Sequence, residues 1–186
     1  DGVAELKKHL AAAARSVLLR SRAGNFRLAI DRAFTITGSG LVVTGTVYAG
    51  QAAVGDRLML TPQGIEVRVR AIHAQNKDSK FGLAGERCAL NIAGADLTKE
   101  LVSRGDWIVG EAAHTPSTRF DARVRVLSSE DRPLRHWTPV HLHLGAEDVS
   151  ARVATLEDRT IPVGETGLAQ IVLDKPIGAL QGDRFI

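Results

Sequence analysis

The sequence predicts an all-β fold: two consecutive β-barrels preceded by one N-terminal α-helix. Three observations carry that prediction. The hydrophobic period is three to four over the first twenty residues and two from Phe26 onward. Turn-forming Gly, Asp and Lys clusters separate the short apolar runs, and a polar linker, EAAHTPSTR, divides the β-pattern in two. At 186 residues the chain has room for two small domains of this kind.

The helix comes first. Val3, Leu6, Leu10, Ala13, Ala14 and Val17 recur at threes and fours, and the run Ala11–Ala14 has high helix propensity. Asp1 stands where an N-cap belongs, and Gly24 breaks the pattern. Residues 1–20 therefore read as an amphipathic helix that needs a partner to bury its stripe.

In the first barrel, residues 25–112, Phe26, Leu28 and Ile30 alternate with Arg27, Ala29 and Asp31. LVVTGTV (41–47) continues the alternation after a turn at Thr37–Gly40. Further strands are expected at 57–61, 65–72, 87–93 and 106–110, with Gln75–Gly85 and Ala95–Gly105 as loops. In the second barrel, residues 115–186, strands are expected at 119–127, 139–145, 149–156 and 166–173, with a last one starting at Asp183. Gly-Asp precedes an apolar strand three times, at Gly55-Asp56, Gly105-Asp106 and Gly182-Asp183. This is one turn chemistry used three times, the glycine supplying a positive φ and the aspartate capping the turn.

Composition narrows the function classes. The chain is 44% hydrophobic and 24% charged, the balance of a folded protein. It has no run of about 20 apolar residues for a membrane span. AAAARSVLL lacks the apolar core of a signal peptide, so a cytoplasmic setting is the expectation. One cysteine excludes an internal disulfide framework and a Cys-based zinc site. The net charge of +3 resides in residues 1–24, with five basic side chains against two acidic; the remainder balances at 19 of each sign. Any RNA contact by the barrels is therefore local. Aromatic residues at 4% argue against a base-stacking platform.

Candidate chemistry is sparse. No G-x-x-x-x-G-K-[ST] cradle for nucleotide phosphates is present. Gly38-Ser39-Gly40 is flanked by Thr37 and Leu41, which does not make a serine-hydrolase elbow. His141 and His143 share one strand face and, with Glu147, are the one metal-like set, against the plainer reading of surface histidines. Cys88 reads as a small buried residue, with a reactive thiol beside Arg87 as the sharper alternative. Asp31, Arg32 and Arg87 place charge on barrel strands. Such charge is costly unless paired or facing a cleft, so a salt bridge tying strands and a binding pocket both remain open.

FRLAIDRAFTITGSGLVVTGTVYAGQAAVGD carries G-x-V-x-x-G-x-x-x-x-G-D at Gly45, Val47, Gly50, Gly55 and Asp56. That pattern resembles the second domain of translational GTPases. IDRAF, RAIHAQN and LNIAG…RGDW resemble, more narrowly, the selenocysteine-specific elongation factors, and HLHLGAEDVSARVATLED is similar to their third domain. The resemblance implies two translation-factor-type barrels, at 25–112 and 115–186, the latter cut short at its C-terminus. Residues 1–22 then correspond to the last helix of a GTP-binding domain. It further implies an aminoacyl-tRNA-binding core for GTP-dependent delivery of selenocysteine-tRNA to the ribosome. Asp31, Arg32 and Arg87 would receive the selenocysteinyl group, with no catalytic or metal residues. The chain itself would then be no enzyme and hold no cofactor. GTP, magnesium and GTPase activity would belong to the longer parent, and the messenger-RNA hairpin would be read by C-terminal domains beyond this chain; no membrane partner is implied. The alternatives are the equivalent barrels of another elongation or initiation factor, or a metal-binding β-barrel enzyme using His141, His143 and Glu147.

Overall fold

The change of hydrophobic period at Phe26 is where β-structure begins in the computed structural model, which describes residues 2–16 and 23–186. Before it, α1 spans Val3–Ser16. Its stripe residues Val3, Leu6 and Leu10 are 58–61% exposed. The proposed cap Asp1, together with Val17 and the rest of 17–22, lies outside the described residues.

The first unit contains β1 (Arg27–Ile36), β2 (Gly40–Ala49), β3 (Gln51–Ala53), β4 (Arg57–Thr61), β5 (Ile65–Ala74), β6 (Lys77–Ser79), β7 (Phe81–Leu83), β8 (Arg87–Ala93) and β9 (Trp107–Val109). Six of these close an antiparallel barrel in the order β4-β9-β1-β2-β8-β5, with β5 returning to β4. Closure follows from the alternation. Leu28, Ile30, Val43, Val67, Val69, Leu90 and Ile92 all point inward and are at most 2% exposed. Burying each such side chain stabilises by about 1.5–3 kcal/mol.

One irregularity matters for function. Between Ile30↔Gly45 and Arg32↔Thr44 the β1–β2 register slips, leaving Asp31 as the extra residue of a bulge. There the strands approach so closely that a Cβ on Gly45 would sit 1.8 Å from the Ala29 carbonyl oxygen. Glycine at 45 is a steric requirement of the bulge.

The second unit contains β10 (Ser117–Arg125), β11 (Leu134–Arg135), β12 (Thr138–Leu144), β13 (Glu147–Thr155), β14 (Thr160–Ile161) and β15 (Thr166–Ile177). Its main sheet runs β10-β15-β13-β12, and β11 pairs with β14 as a separate ribbon. Along the free edge of β12, the Ile186 N–H donates to the His143 carbonyl at 3.1 Å and the His143 N–H donates to the Ile186 carbonyl at 2.7 Å. The strand expected from Asp183 is thus limited to this backbone pairing at Ile186. Leu142, Leu144, Val149, Ala151, Val153, Ala169 and Ile171 pack in one cluster with Ala29, Trp107 and Val109 of the first unit, so an apolar seam joins the two.

Two expected loops carry structure. Gln75 (φ 50°) and Asn76 (φ 64°) make a two-residue hairpin turn joining β5 to β6, where a Gly-bearing pair would have signalled it. β7 then pairs with β3. The stretch Ala95–Gly105 includes a short 3-10 turn at Lys99–Leu101. The Gly-Asp turns repeat atom for atom. Asp56, Asp106 and Asp183 each accept from the N–H three residues back, at Ala53 (2.8 Å), Ser103 (2.7 Å) and Leu180 (2.8 Å). The preceding glycines have φ of 91–100°.

Candidate functional site

The bulge at Asp31 decides what lies outside the first barrel. Because it adds a residue, Asp31 and Arg32 both avoid the core, and Ala33 returns to it. The Asp31 carboxylate then reaches across β2. Its Oδ1 accepts from the Thr44 hydroxyl at 2.7 Å, and both its oxygens accept from Arg87 Nη2 at 2.8 Å. Arg87 opens β8, opposite Thr46 on β2. The pair therefore spans three adjacent strands. It is not a sealed strut, since the Arg87 side chain is 53% exposed and that of Asp31 is 32% exposed.

Arg87 borders an outward groove of about 470 Å³, lined among others by Phe34, Ile36, Val42, Thr44, His73 and Asn91. Arg32 lies opposite Thr44 in the register, is exposed, and makes no ion pair among the described residues. Asp31 and Arg87 are thus in contact across β2, and Arg32 is the next residue after Asp31 on β1, with no ion pair to the carboxylate. Asn91 donates to the Ser39 carbonyl at 2.7 Å, bracing the β1–β2 hairpin over the groove. Thr44, Phe34 and Asn91 were not foreseen. The polar break at Thr44 inside LVVTGTV was the available signal.

Cys88 also borders this groove but is 1% exposed. Burial, with the Glu86 charge adding to it, pushes its thiol up to about 11. The reactive-thiol alternative is corrected on that ground: the thiolate form is scarce and inaccessible.

The metal-like set is not assembled. His141 and His143 face outward, and both approach Asp148 Oδ1, at 3.0 and 4.0 Å. The His141 hydrogen bond leads in holding the Asp148 carboxyl below its usual range. Glu147 points the other way, 6% exposed against Gly105, and pairs with Lys175 at 2.9 Å. Strand alternation separates it from the histidines. Among the described residues no group of three His, Cys, Asp or Glu side chains is placed to hold a metal.

Comparison with known proteins agrees with this architecture. Residues 40–109 match the family model of elongation factor Tu domain 2, and residues 121–186 that of the selenocysteine-specific elongation factor beta-barrel domain. The chain is 46% identical over 162 residues to the selenocysteine-specific elongation factor of Escherichia coli, covering 87% of this chain and 24% of that protein. It is 37% identical over 186 residues to the Haemophilus influenzae protein of the same name, covering all of this chain and 29% of that one. The crystal structure of apo translation elongation factor SelB from Methanococcus maripaludis matches with a TM-score of 0.81 at 25% identity, over 99% of this chain and 43% of that one. The chain thus spans between 24% and 29% of the length of these two curated relatives. With a closed barrel of the elongation-factor kind joined to a matched selenocysteine-factor barrel domain, the chain belongs to the selenocysteine-specific elongation factor family.

Proposed function

We propose that this chain is the aminoacyl-tRNA-binding core of a selenocysteine-specific elongation factor, and that Asp31, Arg32 and Arg87 receive the selenocysteinyl group. The proposal takes 25–112 and 115–186 as its two barrel domains. The observation that carries it is the solvent-facing Asp31–Arg87 pair at the rim of a groove, with Arg32 beside it. Two guanidiniums against one carboxylate leave one positive charge. A selenol is more acidic than a thiol, so selenocysteine is largely anionic at neutral pH, whereas cysteine, at about 8.5, is mostly neutral and serine entirely so. Arg87 and Arg32 favour the selenolate through charge-assisted hydrogen bonds. Asp31 fixes the Arg87 fork or pairs with the α-ammonium. In the longer cytoplasmic protein, GTP-dependent delivery to the ribosome follows this binding step.

The test is equilibrium binding of selenocysteinyl-tRNA and seryl-tRNA to the wild-type protein and to Arg87→Ala. A charge-assisted bond of about 1.5–3 kcal/mol predicts a loss of selenocysteine preference of roughly 10–150-fold, partly restored in Arg87→Lys. An unchanged preference overturns the proposal.

A further inference from the structure

A second cationic surface lies on the first barrel, away from the Asp31–Arg87 pair. Arg57 of β4 and Arg68 of β5 are direct register partners, both exposed on the outer face. Like charges placed opposite each other destabilise a sheet, so the arrangement costs stability unless an anion joins it. One residue along, the β5–β8 register slips between Val69 and Ala71, leaving Arg70 as the extra residue of a bulge. The bulge divides the strand. Arg68 and Arg70 line one groove of about 590 Å³, while Ala71 and His73 line the groove beside Arg87. Glu66 pairs with Arg57 at 3.6 Å, the two side chains 62% and 76% exposed. Arg68 and Arg70 make no ion pair among the described residues.

The floor explains what fits. It is Gly55, Ala93, Gly94 and Ala95, with Val54 at the rim. Gly94 lies so close to β5 that a Cβ would stand 2.5 Å from the Glu66 carbonyl oxygen. The lining residues include no aromatic ring to stack on a base and no amide or hydroxyl side chain to read one. Val54 is the one exposed large apolar side chain among them, and they hold no aromatic anchor of the kind that centres a protein interface. Planar guanidinium forks over a smooth backbone floor match phosphodiester oxygens, and the lack of base-reading groups selects a duplex, whose bases are turned inward.

We propose that Arg57, Arg68 and Arg70 form a phosphate-contact stripe for the backbone of an RNA duplex, separate from the selenocysteinyl groove. It stands whatever occupies the groove beside Arg87. The test is binding of a fluorescent RNA duplex of about 20 base pairs to this chain across a salt series. Arg68→Ala/Arg70→Ala lowers affinity at least tenfold and reduces the slope of log affinity against log salt by about two, one per lost phosphate contact. Arg68→Lys/Arg70→Lys retains most of the slope. Arg132→Ala/Arg159→Ala, an equal charge change on the second unit, leaves both quantities unchanged. No duplex binding by the wild type, an equal loss in the control pair, or equal competition by polyglutamate overturns the proposal. Because the duplex carries no aminoacyl group, failure here is distinct from failure of selenocysteine discrimination.

Discussion

Arg27 and Asp183, 156 residues apart, clasp each other in a two-pronged ion pair, Nη1 to Oδ1 and Nη2 to Oδ2, both at 2.8 Å. The Arg27 fork also donates to the Gly178 carbonyl at 3.1 Å, and its carbon lies 4.5 Å over the Trp107 ring. The pair is nearly closed to water, the two side chains being 9% and 14% exposed. It fastens the segment after β15 onto the first barrel, and with it the orientation of the two units.

Removing one partner of such a pair leaves a buried charge, which costs about 3–5 kcal/mol. Asp183→Ala is expected to lower unfolding stability by that amount in urea titration. Adding Arg27→Met to that variant costs far less than Arg27→Met alone, because the orphaned charge leaves with it. Additive losses in the double-mutant cycle rule out the clasp.

Arg87→Ala behaves differently. Its pair with Asp31 is half-exposed, and exposed pairs contribute about 0.2–1 kcal/mol. The urea midpoint should therefore move little while selenocysteine preference falls. A stability loss as large as that of Asp183→Ala identifies Arg87 as a strut between strands.

These two arginines also show what the sequence made legible. Arg87 was visible as a charge opening an apolar run, and Asp31 as an acid interrupting one. Their contact depends on a bulge and on Thr44, which no local periodicity reveals. Arg27 occupied an ordinary outward position in an alternating strand. It is 7% exposed because its outward face is covered by a segment 151–156 residues later, a tertiary fact without a local signal. The Gly-Asp turns were legible because their hydrogen bonds close within four residues. The hairpin at Gln75-Asn76 was hidden because non-glycine residues adopt its positive φ.

Cys88 is expected to resist thiol reagents in the folded protein. At pH 8 a thiol at about 11 is roughly 0.1% ionised, some two-hundred-fold less than an ordinary cysteine, before restricted access is counted. Labelling by a chromogenic disulfide should be slow in buffer and fast in denaturing urea. Equal rates in the two conditions exclude a buried thiol.

Asp106 gives the pH prediction. It is 4% exposed, and its Oδ2 accepts from the Ser103 N–H at 2.7 Å and Gln63 Nε2 at 2.8 Å. Burial raises its carboxyl above the usual range and the Glu147 charge adds to that. The two hydrogen bonds and Lys175 oppose the rise without cancelling it. The folded state therefore takes up the proton more readily than the unfolded state, where a carboxyl titrates near ~3.9. This group's contribution to stability is most favourable below that value, and it declines as pH rises through the raised folded value. Asp106→Asn keeps a carbonyl acceptor for both donors and removes the charge facing Glu147. The variant should have the higher urea midpoint at pH 7, and its advantage should shrink as pH falls through the raised folded value and the wild-type carboxyl takes up its proton. A variant less stable than the wild type at pH 7, with a gap that does not change as pH falls, means the turn needs the carboxylate as acceptor rather than tolerating its charge.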